Sequence, residues 1–117
     1  MITTAIPKLP FIDKQATLDF YIGQLGCHLL ADYGDYLLIT LDQAEVHFFS
    51  YPALVPAKSD FMIYLRVEHD IDGLYERYKN AVPAAALRGA METKPWRQRE
   101  FALVDPNGTL LTFGQAV

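Results

Sequence analysis

The chain has 117 residues, of which 51% are apolar, and its 10 basic and 14 acidic side chains leave a formal charge of −4. This size and composition predict one folded domain, and an acidic chain without a basic run is a poor partner for nucleic acid or an anionic membrane. The single cysteine, Cys27, rules out an internal disulfide, and no apolar run approaches about 18 residues. We therefore expect a cytoplasmic protein with no signal peptide and no membrane span.

The first half of the chain combines predicted strands with one helix. Residues 3–9 are predicted to be extended, and Pro7 keeps them out of the middle of a fully paired sheet. Asp13 is a candidate N-cap for a helix that ends at Gly26. The apolar face of that helix comprises Leu18, Tyr21, Ile22 and Leu25, at helical spacing. Three strands are predicted to follow, at 29–31, 36–41 and 45–50.

The second half repeats this order after a linker at 51–60, where Pro52 and Pro56 interrupt any regular period. Its predicted elements are a strand at 61–67, a helix capped by Asp70, a short irregular strand within 81–93, and strands at 99–104 and 109–115 joined by a turn at 105–108. We therefore predict an α+β fold of two βαβββ modules, residues 1–50 and 61–117, which together form a cleft.

Several stretches resemble one known superfamily. They are residues 5–10, Phe20-Tyr21, residues 47–52 and, most specifically, the segment 95–108 with the sequence PWRQREFALVDPNG. The pattern resembles the glyoxalase/bleomycin resistance/dioxygenase (vicinal oxygen chelate) superfamily, and within it the bleomycin-resistance branch. The resemblance implies paired βαβββ modules, a homodimer, and ligand clefts between subunits. It also implies that a cationic, metal-chelating glycopeptide drug is held without chemistry, so that the drug is kept from cutting DNA.

The metal-binding members of the superfamily carry ligands at four matched strand positions. By local motif these positions fall on Ile6, His47, Met62 and Thr112. Only His47 is a credible ligand, because Ile6 has no lone pair, Met62 is a soft thioether and Thr112 is a weak neutral donor. A site made from His47 and Glu45, which share a strand face, stays open as an alternative. We therefore expect no metal and no cofactor, and no catalytic residue.

Strand alternation predicts which side chains line the cleft. Trp96 follows Pro95 in a loop, where it either stacks on a flat ligand or packs at a sheet end or subunit interface. Arg97 and Arg99 depart from the small residues usual after this tryptophan, and they either repel a cationic drug or pair with Glu100. The predicted ligand-binding residues are Tyr33, Asp35, Tyr36, Glu45, His47, Phe49, Met62, Tyr64, Trp96, Glu100 and Thr112.

Three functions are compatible with this sequence. The first is a non-catalytic homodimeric protein that sequesters a bleomycin-like drug or a similar amphipathic molecule. The second is a divalent-metal lyase, transferase or dioxygenase of the same superfamily, which would need metal at His47. The third is a binding protein for an unrelated metabolite.

Overall fold

The computed structural model describes all residues from 1 to 117 and consists of eight strands and two helices arranged around two sheets. The strands are β1 Lys8–Phe11, β2 His28–Asp32, β3 Tyr36–Leu41, β4 Ala44–Ser50, β5 Met62–Arg66, β6 Glu92–Thr93, β7 Gln98–Val104 and β8 Leu110–Ala116. Helix α1 spans Lys14–Leu18 and continues as a π-helix over Asp19–Gln24, and helix α2 spans Ile71–Ala81. Short 3₁₀ turns lie at Pro56–Lys58 and Ala84–Ala86. Neither helix is long and apolar enough to span a bilayer.

The two sheets have the same topology. Their strand orders are β1-β4-β3-β2 and β5-β8-β7-β6, and in each the first strand pairs in parallel while the others are antiparallel. The register also corresponds, because Lys8 lies opposite His47 in one sheet and Tyr64 lies opposite Thr112 in the other. The α+β fold of two βαβββ units is therefore confirmed. The module boundaries at 1–50, 51–60 and 61–117 stay a prediction.

The first strand was predicted too early in the chain. It begins at Lys8, so most of the segment 3–9 precedes it, and Ile6 lies outside the sheet. Pro7 explains the difference, since it has no N–H to donate and joins the sheet only through its carbonyl, which accepts from the amide of His47 at 3.0 Å. The irregular stretch 81–93 contributes only the two-residue strand β6.

Alternation along the strands gives each sheet one buried face. In β3, Leu37, Ile39 and Leu41 are buried, while the residues between them are half-buried and face the other way. The second sheet is similar, with Phe101 and Phe113 stacked at 4.8 Å between ring centroids. The helices complete one core of 19 apolar residues that spans both halves. The opposite faces of both sheets remain outside this core.

A buried polar network joins the two halves of the chain. Asp105, in the turn between β7 and β8, accepts hydrogen bonds from the Tyr21 hydroxyl at 2.7 Å and from the amides of Asn107 and Thr109 at 2.8 and 2.9 Å. The Asn107 side chain in turn accepts from the amide of Ile12 at 2.9 Å. Because buried polar groups are costly unless satisfied, this network fixes the turn of the second half against the helix of the first.

Alkaline solution is expected to destabilise the fold. Burial raises the pKa of Cys27 to about 12 and the pKa of Tyr78 to about 12, so the folded chain keeps protons that the unfolded chain releases. The free energy of unfolding should therefore fall as pH rises above about 9, by up to about 1.4 kcal/mol per pH unit for each group that titrates. Urea unfolding between pH 8 and 11 measures this slope. Cys27→Ala should flatten the slope between pH 9 and 10, and an unchanged slope there would contradict the assignment.

Candidate ligand-binding cleft

The open face of the first sheet carries a chain of three polar side chains. The Tyr36 hydroxyl lies 2.8 Å from Nδ1 of His47, and Nε2 of His47 lies 2.5 Å from Oε2 of Glu45. A carboxylate can only accept, so Nε2 is the donor to Glu45 and a neutral imidazole accepts from Tyr36 at Nδ1. Lys8, on the neighbouring strand, places its ammonium 5.4 Å from the Tyr36 ring. Both imidazole nitrogens of His47 are thus engaged, and metal binding there would break one of these contacts.

The open face of the second sheet carries an aromatic cluster around one carboxylate. Oε2 of Glu100 accepts from the Tyr64 hydroxyl at 2.8 Å and from the indole N–H of Trp96 at 2.9 Å. Glu100 is only 7% exposed, whereas the Trp96 side chain above it is 61% exposed. Gly114 makes this packing feasible, because a Cβ at that position would lie 1.8 Å from the Tyr64 hydroxyl. The missing side chain at Gly114 therefore leaves room on strand β8 for the Tyr64 ring, whose hydroxyl reaches Glu100.

The acidic turn between β2 and β3 contributes less than predicted. Tyr33 is 70% exposed and Asp35 is also exposed, and neither side chain takes part in the hydrogen bonds that join Tyr36, His47 and Glu45. The neighbouring Asp32 binds Lys14 at 2.9 Å and the amide of Gly34 at 2.8 Å. These two contacts, the backbone one first, lower the pKa of Asp32. Of the residues predicted near this turn, only Tyr36 joins the cluster.

The remaining predicted residues lie on the open faces without forming a shared site. Phe49 stacks on Tyr51 with 6.3 Å between ring centroids. Met62 is exposed at the start of β5, and Thr112 lies between Tyr64 and Ala102 in the register. No three His, Cys, Asp or Glu side chains come close enough together to hold one metal ion.

The two arginines that follow Trp96 take different directions. The guanidinium of Arg99 binds Asp72 of helix α2 at 2.7 Å, on the core side of the sheet and away from Glu100. Arg97 is exposed, and its backbone adopts a left-handed conformation with φ of +65°. Of the two alternatives for these arginines, pairing of Arg99 with Glu100 does not occur, because alternation along β7 points neighbouring side chains to opposite faces.

Two contributors to these clusters, Lys8 and Gly114, are not among the predicted ligand-binding residues. Lys8 was overlooked because β1 was predicted too early, and a correct register would have placed it opposite His47. Gly114 has no side chain to attract attention, although its place opposite Glu100 in the strand pairing gives it a role. The signal in the sequence is a glycine inside a predicted strand.

Adding a methyl group at Gly114 is expected to release Tyr64. The new Cβ would overlap the Tyr64 hydroxyl, and since Tyr64 is half-exposed, its ring can turn outward at a cost of about 1 kcal/mol. Burial, followed by the hydrogen bond to Glu100, raises the pKa of Tyr64 in the native chain, so Gly114→Ala should lower that pKa. NMR titration of ¹³C-labelled tyrosine measures the shift. An unchanged pKa would show that Gly114 does not govern the ring position.

A separate groove of about 560 Å³ lies on another side of the molecule, between helix α1 with its π-helical extension and the turn at 105–108. None of the predicted site residues lines it.

Comparisons with known proteins identify the family. Residues 8–113 match the family model described as Glyoxalase/Bleomycin resistance protein/Dioxygenase superfamily. A bleomycin resistance protein of Klebsiella pneumoniae is 31% identical over 95% of this chain and 90% of its own length.

Two solved structures are also similar across nearly the whole fold. One is a bleomycin-binding protein in complex with bleomycin, with a TM-score of 0.87, 30% identity, and coverage of 99% of this chain and 100% of that chain. The other is the bleomycin resistance determinant encoded on the transposon Tn5, with a TM-score of 0.86, 29% identity, and coverage of 98% of each chain. The chain belongs to the Glyoxalase/Bleomycin resistance protein/Dioxygenase superfamily.

Proposed function

We propose that this protein binds a bleomycin-like drug in a cleft over its open sheet faces and holds it without changing it chemically. The observation that carries the proposal is the second-sheet cluster, in which the largely exposed indole of Trp96 is fixed by a buried carboxylate. An exposed, oriented aromatic ring is suited to stacking on a flat heteroaromatic group. The similar proteins are described as bleomycin resistance or bleomycin-binding proteins, which supports the same ligand class.

We propose that the ligand-contacting residues are those predicted from sequence. The structure supports some of them more strongly than others, because Tyr36, Glu45 and His47 form one cluster and Tyr64, Trp96 and Glu100 form the other. The remaining members of the proposed set are Tyr33, Asp35, Phe49, Met62 and Thr112.

The cleft is proposed to be completed by a second copy of the chain. Leu29 and Leu30 are exposed on the edge strand β2, and Met62 and Tyr64 are exposed on the open face of the second sheet, so both sheets carry apolar surface that water covers in a single chain. Burying such surface favours association, and a facing sheet would enclose the two clusters. Sedimentation equilibrium is expected to give twice the mass of the chain, and a strictly monomeric protein would contradict a cleft of this kind.

The two hydrogen bonds of the His47 ring favour a non-catalytic role over a metal-dependent reaction. Its two nitrogens are used by Tyr36 and Glu45, and the other matched positions carry Ile6, Met62 and Thr112, which are poor ligands for the divalent metals of enzymes. The free, buried Cys27 is compatible with a reducing compartment, and we propose the cytoplasm as the place of binding.

Titration calorimetry with metal-free and copper-loaded bleomycin tests the proposed function. We expect saturable heat with micromolar or tighter affinity for at least one form of the drug. Absence of heat from both forms at micromolar protein would contradict drug binding. If the protein instead carries stoichiometric metal that is lost in His47→Ala, the metal-enzyme alternative would replace the proposal.

A further inference from the structure

Glu100 differs from the other buried carboxylate of the chain in the way its two oxygens are used. Both oxygens of Asp105 accept hydrogen bonds, Oδ1 from two backbone amides and Oδ2 from the Tyr21 hydroxyl and the Asn107 side-chain amide. Both donors to Glu100, the Tyr64 hydroxyl and the Trp96 indole, share the single oxygen Oε2. No group of the protein donates to Oε1 of Glu100. Asp105 is thus satisfied by the fold, whereas Oε1 of Glu100 accepts from no protein group and is open to solvent.

No basic side chain neutralises Glu100. Arg99, one residue before it, binds Asp72 on the other side of the sheet. Lys94 binds Glu92, with its ammonium 6.0 Å from the centroid of the Trp96 ring, and forms no ion pair with Glu100. Arg66 places its guanidinium carbon 5.6 Å from the Tyr64 ring and forms no ion pair with Glu100. A carboxylate that is 7% exposed and has two neutral donors on one oxygen retains most of its acceptor capacity.

The surroundings of Glu100 indicate which ligand group can donate a hydrogen bond to its carboxylate. Glu100 lies on the open face of β7, opposite Gly114, and is flanked by the exposed ring of Trp96 and the half-exposed ring of Tyr64. A ligand that stacks on the indole would bring its substituents next to this carboxylate. A positively charged nitrogen that carries hydrogens gives the strongest complement to a carboxylate oxygen, since its hydrogen bond is charge-assisted.

We propose that Glu100 is an anionic subsite, in which Oε1 accepts a hydrogen bond from a protonated amine or amidine of a ligand whose flat part lies on Trp96. The inference rests on the proposed function, because it assumes that the open face is a ligand site, and it adds the chemical group that the site selects. Trp96 and Tyr64 have a second role in this subsite: by donating to Oε2 they hold the carboxylate in one orientation.

A pair of small aromatic probes that differ only in charge tests the subsite. Benzothiazol-2-ylmethylamine is used as its ammonium ion at pH 6, and benzothiazol-2-ylmethanol is the neutral counterpart. Because Trp96 is the single tryptophan, its indole N–H gives one NMR resonance that reports directly on the group bonded to Glu100. The amine is expected to shift this resonance and to bind roughly tenfold more tightly than the alcohol.

Two variants separate the subsite from a general effect of charge. Glu100→Gln keeps an acceptor for Tyr64 and Trp96 but removes the charge, so the preference for the amine should disappear. Glu76→Gln, an equal charge change on the exposed surface of helix α2, should retain it. Equal affinity of the two probes for the native protein, absence of amine binding at millimolar concentration, or a preference that survives in Glu100→Gln would each overturn the proposal.

Comparison of the probe experiment with the bleomycin titration distinguishes failure of the subsite from failure of the proposed function. If bleomycin does not bind but the amine preference holds and depends on Glu100, the drug assignment fails and the subsite stands. If bleomycin binds the native protein and the probes show no preference, the drug assignment stands and the subsite is overturned.

Discussion

Replacing Trp96 by alanine is expected to weaken bleomycin binding by at least about 30-fold, which corresponds to about 2 kcal/mol. The indole is the exposed ring that is fixed from below by Glu100, so its loss removes the stacking surface and one of the two donors that orient the carboxylate. Because the side chain is 61% exposed, the stability of the fold should change by less than about 1 kcal/mol. Calorimetry gives the affinity, and thermal unfolding gives the stability.

Trp96→Phe is the matched control for this prediction. It keeps a flat ring and removes the indole N–H, so most of the affinity should return. Native affinity in Trp96→Ala would mean that the drug does not contact this residue. A large loss of stability in Trp96→Ala would mean that the indole has a structural role instead.

Removing the Tyr21 hydroxyl is expected to destabilise the fold by about 2 kcal/mol. In Tyr21→Phe, the buried carboxylate of Asp105 loses the short hydrogen bond from the π-helical extension of α1 and keeps the backbone amides of Asn107 and Thr109 and a longer contact, 3.4 Å, from the Asn107 side-chain amide. Leaving a buried charged acceptor short of a donor costs on the order of 1–3 kcal/mol. Urea unfolding measures the loss. Tyr75→Phe is the control, since the Tyr75 hydroxyl makes no hydrogen bond, and it should cost less than about 0.5 kcal/mol.

The effect of Tyr21→Phe should also depend on pH. Burial, and then the charge of Asp105, raises the pKa of Tyr21 well above its usual value near 10. Above pH 10 the unfolded native chain therefore releases a proton that the folded chain retains, and stability falls as pH rises. The variant has no such group, so the difference in unfolding free energy between native and variant should shrink above pH 10. A constant difference up to pH 11 would contradict the assignment.

Local signals in the sequence predicted the elements well. Asp13 and Asp70 were expected to cap helices, and their side chains accept from the amides of Ala16 at 2.9 Å and Gly73 at 3.2 Å. A cap depends on residues three positions apart, so the sequence alone contains the relevant geometry. The strand predicted at 36–41 is present with those bounds, and its alternation places Tyr36 on the open face.

Local sequence signals do not predict contacts between residues that are far apart in the chain. The bond from Tyr21 to Asp105 joins positions 84 apart, and the bond from Tyr64 to Glu100 joins positions 36 apart. Neither can be inferred from spacing, because each depends on how the sheets and the helix pack. The same holds for the two hydrogen bonds that converge on one oxygen of Glu100, which the packing of the second sheet determines.

The proposed function requires that the protein retain bleomycin and release it unchanged. Equilibrium dialysis of the native protein against metal-free bleomycin, followed by mass spectrometry of the drug released on denaturation, tests both parts together. We expect one drug molecule retained per chain, with a mass identical to that of the starting material after prolonged incubation. Failure to retain the drug would contradict binding, and recovery of a drug with an altered mass would contradict a non-catalytic role.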